Sequence, residues 1–147
     1  MRTFVIIAVL GTVGYFGFKA ATAESEAFVA FKKFMEWQRN GNCGEMRGLT
    51  EEQALQRVEE LCAPVGRTSA ASMIADLNST PSGAMRSSVY KVEEEKKAAG
   101  GAEVTMVIKE SVRGRSSAMN PLPPPRRHTV KARKSGSAWK LVELSAQ

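Results

Sequence analysis

His128 is the single histidine among 147 residues, Asp76 the single aspartate, and Cys43 and Cys62 the two cysteines. General acid-base chemistry needs a group that titrates near neutrality with a hydrogen-bond donor beside it. His128 and Tyr90, the tyrosine outside the apolar N-terminus, would supply that pair if both faced one pocket. A structural zinc site takes four ligands, and one histidine with two cysteines falls short of that. There is no C-x-x-C, nucleophile elbow, phosphate-binding glycine loop or H-E-x-x-H. The inventory points to no catalytic residue, no metal and no cofactor. It leaves His128 and Tyr90 as pocket residues, each with an ordinary structural role as the alternative.

Cys43 and Cys62 are separated by 18 residues, the first in a Gly-rich turn and the second at the end of an amphipathic stretch. A disulfide between them would tie two neighbouring helices and, for a loop of this size, contribute about 3 kcal/mol in the chain-entropy model. Such a bond requires an oxidising compartment. The alternative is two separate buried thiols in a cytosolic domain.

The N-terminus addresses a membrane. After Met1-Arg2, residues 3–18 run without a charge, and Lys19-Ala20-Ala21-Thr22-Ala23 precedes the first acid, Glu24. A basic start, an apolar stretch and a small-x-small site fit a secretory signal cleaved after Ala23. Sixteen helical residues span about 24 Å, short of a hydrocarbon core of about 30 Å. Snorkelling by Lys19 and extension through Ala23 would close that gap and make 3–23 an uncleaved anchor. Residues 1–23 are thus a signal peptide or a transmembrane anchor. The expected location is the cell envelope, membrane-anchored and facing the periplasm or another extracytoplasmic side, with secretion after cleavage as the alternative.

Charge is unevenly placed. Residues 24–95 carry 8 basic and 12 acidic side chains, whereas 96–147 carry 11 and 3. Arg113, Arg115, Arg126, Arg127, Lys131, Arg133 and Lys134 cluster along the C-terminal half as a prospective basic interaction face. Nucleic acid is disfavoured, because no Phe, Tyr or Trp for base stacking lies between Tyr90 and Trp139. A basic face near a membrane fits anionic lipid or an acidic protein partner better. Asn120-Pro121-Leu122-Pro123-Pro124-Pro125-Arg126 is a stiff polyproline segment that matches P-x-x-P-x-R, and its plainer role is a rigid connector.

These residues must be positioned by helices first and strands second. Phe28, Phe31, Phe34 and Met35 recur at helical spacing over 24–39, and Asn40-Gly41-Asn42 ends that helix. Thr50-Glu51-Glu52-Gln53 reads as a capping box opening a helix over 51–62. Pro64 and Gly66 break the chain before a weaker helix over 68–77. Strands follow at 87–97 and 103–112 around Gly100-Gly101, then at 128–133 and 138–144. Period two places Val104, Met106 and Ile108 on one face, and His128, Val130 and Ala132 on one face of the next strand. The expected fold is α+β: an N-terminal apolar helix, then about three helices packed on a curved antiparallel sheet of about four strands.

That element order, closed by Gly136-Ser137-Ala138-Trp139-Lys140-Leu141-Val142-Glu143-Leu144, resembles the nuclear transport factor 2-like superfamily, also called cystatin-like, over 24–145. The resemblance implies helices forming a cone against a bent sheet. It spans isomerases, cyclases and many non-catalytic envelope domains, so it fixes no activity. Isomerase-type members hold an Asp base with Tyr and a protonated Asp, and cyclase-type members an Asp or His dyad; here only Asp76, Tyr90 and His128 are available, and Asp76 falls in the third helix. The sequence therefore points to an exported, membrane-anchored, non-catalytic interaction or ligand-binding module, with a small isomerase- or cyclase-like enzyme as the alternative. A deep pocket where His128 meets another polar group would suit the enzyme; a cone filled by Phe, Met and Leu would suit the scaffold.

Overall fold

The computed structural model describes residues 24–147. The leader, its expected helix and the cleavage position at Ala23 lie outside the described residues. Among the described residues, no helix is long and apolar enough to cross a membrane.

Helix α1 (Glu26–Arg39) starts where Ser25 Oγ accepts the Phe28 amide at 3.3 Å, the side-chain cap that a helix N-terminus needs. Its buried stripe is Ala27, Phe28, Ala30, Phe31 and Phe34, the three- and four-residue spacing of one helical face. The helix stops at Asn40, and Gly41 follows with φ 66°. A Cβ there would lie 2.9 Å from the Ala71 carbonyl oxygen, so both the backbone conformation and the close approach require glycine.

The stretch expected to be a Gly-rich turn is a helix, α2 (Cys43–Leu49). The Asn42 side chain accepts the Glu45 amide at 3.4 Å and Met46 is fully buried, which together offset two glycines costing about 1 kcal/mol each in a helix. The capping box is also corrected. The Thr50 hydroxyl donates backward to the Met46 carbonyl at 2.9 Å, and α3 (Glu52–Cys62) begins without a side-chain cap. Thr50 instead bridges to Leu141, whose carbonyl accepts the Glu51 amide at 2.9 Å, so sheet pairing takes over the role of the local cap.

Cys43 and Cys62 are bonded, with Cα atoms 6.0 Å apart, and join the start of α2 to the end of α3. Replacing both by serine should lower stability by about 3 kcal/mol. A urea midpoint for the double variant matching the parent chain would show that the bridge contributes nothing.

Past the bridge, the expected break contains a two-residue hairpin, β1 (Pro64–Val65) with β2 (Thr68–Ser69). The third predicted helix is shifted two residues onward as α4 (Ala70–Ser79), because Ser69 caps it, its hydroxyl accepting the Ser72 amide at 3.2 Å. One turn of helix, α5 (Pro81–Ala84), leads into the sheet.

Strands β3 (Ser87–Lys97), β4 (Glu103–Arg113), β5 (Arg126–Ser135) and β6 (Ala138–Ala146) pair antiparallel in sequence order. Irregularities between Val92 and Glu94, and between Lys131 and Ala132, add bulges that bend the sheet. Its concave face packs Val104, Met106, Ile108, Val130, Ala132 and Leu141 against Phe28, Phe31, Phe34 and Met46. The Trp139 indole N–H donates to Glu26 at 2.9 Å, and Arg133 pairs with Glu52 at 2.6 Å, tying the sheet to α1 and α3. The architecture is the α+β layer expected, with five helices among the described residues.

Candidate functional site

Strand register brings the site together. Tyr90 on β3 lies opposite Glu110 on β4, and Glu110 lies opposite Arg126 on β5. His128 sits two residues along β5, opposite Ile108, so all four side chains project from the same face. One carboxylate organises the cluster. Glu110 Oε2 is 2.8 Å from His128 Nε2, and Oε1 accepts the Ser88 hydroxyl at 2.7 Å and the Tyr90 hydroxyl at 3.4 Å. The Phe31 ring closes the other side, 5.4 Å from the Tyr90 ring and edge-on to it, and 5.5 Å from the imidazole.

Electrostatics follow from those contacts. The His128 hydrogen bond holds the Glu110 carboxyl below the usual carboxylate range, with help from Ser88 and against the opposing effect of burial. Burial pushes the Tyr90 phenol up to about 12, so it remains a donor at any ordinary pH. Facing the carboxylate, the imidazole Nε2 is placed to donate to Glu110. Nδ1 is buried and has no hydrogen-bond partner among the described residues. The His128 side chain as a whole is 6% exposed.

The cluster borders a cleft of about 590 Å³ between α1, α3, α4 and the open end of the sheet. Phe34, Met35, Leu61, Ile74, Val112 and Leu144 supply apolar surface, and Lys32, Arg39, Arg57, Arg86 and Arg126 supply positive charge. Arg39 donates to the Gly83 and Arg86 carbonyls at 3.0 and 2.7 Å, and Arg57 to the Leu144 carbonyl at 3.1 Å. Arg86 donates to the Asn120 and Pro121 carbonyls at 3.2 and 3.3 Å, fixing the polyproline connector so that Pro123 lines the cleft. The connector is part of the pocket wall, and the Arg126 of its P-x-x-P-x-R pattern also lines the cleft. Asp76 lines a separate surface hollow of about 330 Å³ beside Arg39 and Asn78. It does not join His128.

The core under the sheet is filled by Phe, Met, Ile and Leu side chains, and the cleft beside it holds His128 and Tyr90 next to a carboxylate. Among the described residues, no group of three or more His, Cys, Asp and Glu side chains is arranged to hold a metal.

The seven basic residues do not form one face. Arg127 pairs with Glu93 at 2.7 Å, Lys131 with Glu103 and Glu143 at 3.3 and 3.7 Å, and Arg133 with Glu52 and Glu103 at 2.6 and 3.4 Å. Antiparallel pairing places acidic residues from the sheet and from α3 among them, and the linear sequence hides that. Arg113, Arg115, Arg126 and Lys134 have no carboxylate partner among the described residues. Lys134 lies eight residues along β5 from Arg126, about 26 Å at strand rise, and so belongs to the opposite end of the sheet.

Glu110 is the member of this cluster that the sequence reading missed. The alternation through Val104, Met106 and Ile108 continues to 110, and a carboxylate at the next inward position is a signal that it meets a buried partner. Arg126 was placed with a basic surface, although the spacing of 126, 128, 130 and 132 puts it on the inward row.

No protein-family model matches the chain, and no curated protein matches it. Among solved structures it is similar to the intermembrane space region of the chloroplast protein ARC6, at 15% identity and a TM-score of 0.40, over 84% of this chain and 98% of that one.

Proposed function

We propose that the chain is an exported, membrane-tethered, non-catalytic domain of nuclear transport factor 2-like type that binds a small molecule in the cleft at the open end of its sheet. The observation carrying this reading is the cleft itself: about 590 Å³, within the usual range of small-molecule sites, with apolar side chains interleaved with convergent polar and charged groups. The disulfide supports an extracytoplasmic setting, since cytosolic reductants keep such thiols reduced. Residues 3–23 supply the address and the membrane contact.

One observation favours the alternative of an isomerase- or cyclase-like enzyme: the 2.8 Å pair of His128 with Glu110 has the spacing of a base held by its orienting carboxylate. Two others weigh against it. The ring nitrogen that faces away from Glu110 is buried, out of a substrate's reach, and the Tyr90 phenol, pushed up to about 12, is a poor acid. The cluster is better suited to shaping and rigidifying the cleft floor.

Setting and topology are tested by thiol trapping in cells that express the full chain. Both cysteines should resist alkylation until reductant is added, and the chain should fractionate with membranes. A soluble chain with both cysteines freely alkylated would overturn the reading.

A further inference from the structure

We infer that the cleft takes a single-tailed anionic amphiphile, an alkyl chain ending in a carboxylate or phosphate. This rests on the reading of the cleft as a ligand site and deepens it. Five cationic side chains line the cleft, Lys32 among them already paired with Glu24, against two carboxylates, Glu36 and Glu110. Glu110 is already committed to His128, Ser88 and Tyr90. Arg39, Arg57 and Arg86 donate to backbone carbonyls, which satisfy their N–H groups without cancelling their charge. Arg126 has neither a carboxylate nor a carbonyl partner among the described residues, and it stands in register beside Glu110 at the edge of the cluster.

Unneutralised charge in a cleft with low-dielectric walls concentrates anions, and a guanidinium binds carboxylate and phosphate oxygens through paired N–H groups. Phe34, Met35, Leu61, Ile74, Val112 and Leu144 add aliphatic, thioether and phenyl surface to the lining, which rewards burial of a methylene chain at about 0.8 kcal/mol for each group. A small hydrophilic anion would leave that surface wet, and a neutral alkyl chain would leave the arginines without a counterion. An amphiphile with one charged end satisfies both parts of the wall.

The test uses the full chain in a non-ionic maltoside micelle with a diazirine-bearing dodecanoate as photoprobe. Labelling is expected on peptides carrying Met35, Ile74 or Leu144. Excess dodecanoate or dodecyl phosphate should compete, the more effective of the two identifying the head group, while dodecanol and inorganic phosphate should not. Arg126→Gln should weaken labelling about tenfold or more, the loss of one charge-assisted contact. Arg115→Gln removes the same charge outside the cleft and should change nothing. Competition by dodecanol equal to that by dodecanoate would overturn the anion inference and leave a ligand cleft standing. Absence of label from the cleft peptides would overturn both.

Discussion

Replacing Phe31 by alanine should destabilise the domain by about 3–5 kcal/mol, the usual cost of emptying a buried phenyl site. Phe31 is fully buried, stacks on Phe28 with ring centroids 6.4 Å apart, and covers both Tyr90 and His128. Its loss opens a cavity at the junction of the apolar core and the polar cluster, where water would compete for the Glu110 hydrogen bonds. Domains of this kind have total stabilities of about 5–15 kcal/mol, so the variant should be partly unfolded or close to it. Urea titration followed by tryptophan fluorescence reads this directly, since Trp37 and Trp139 both lie in the domain. A loss below about 1 kcal/mol would show that the cone collapses around the gap and that Phe31 does not hold the two parts together.

Glu110→Gln should also destabilise the domain, on the order of 2–3 kcal/mol at neutral pH. The amide oxygen can still accept from Ser88 and Tyr90, but the NH2 group cannot accept from Nε2, and His128 can bond to it only by carrying its proton on the buried, unpartnered Nδ1. The pH dependence identifies the cause. Because the folded domain holds the Glu110 carboxyl below its ordinary value of 4.5, the carboxylate stabilises the fold fully above that value. That contribution falls away as the pH drops through the lowered folded-state value. The urea midpoints of the parent chain and the variant should therefore be far apart at neutral pH and converge well below pH 4.5. A gap that is the same in both conditions would mean that packing, not the charge, is responsible.

The sequence disclosed those parts of the fold that depend on local periodicity. The apolar spacing of α1, the strand alternation and the Gly100-Gly101 turn are local signals, and the observed elements follow them within a few residues. Helix α2 was hidden because its glycines argue against a helix and Asn42 reads as the end of α1, although its side chain caps α2; the burial of Met46 depends on neighbours distant in sequence. Thr50 looked like a cap for α3 because the pattern is local. A strand residue 91 positions away, Leu141, captured its backbone instead.

The candidate site was half legible for the same reason. His128 and Tyr90 stood out as rare residue types, but what joins them is Glu110, one glutamate among fourteen, distinguished by its place in the β4 alternation and by strand register. The basic cluster shows the converse. Seven cations close in sequence are divided by antiparallel pairing into three that meet carboxylates and four that do not, and of those four Arg126 alone lines the cleft.

Since the chain has a single histidine, the imidazole nitrogens of His128 give unique signals in nitrogen-labelled NMR spectra of the full chain in non-ionic micelles. If the His128, Glu110 and Tyr90 cluster forms the floor of a ligand cleft, the Nε2 proton should be observable and slow to exchange, and both imidazole signals should shift saturably as dodecanoate is added. Imidazole signals that stay unchanged while dodecanoate saturates the protein would place the ligand elsewhere and contradict the account.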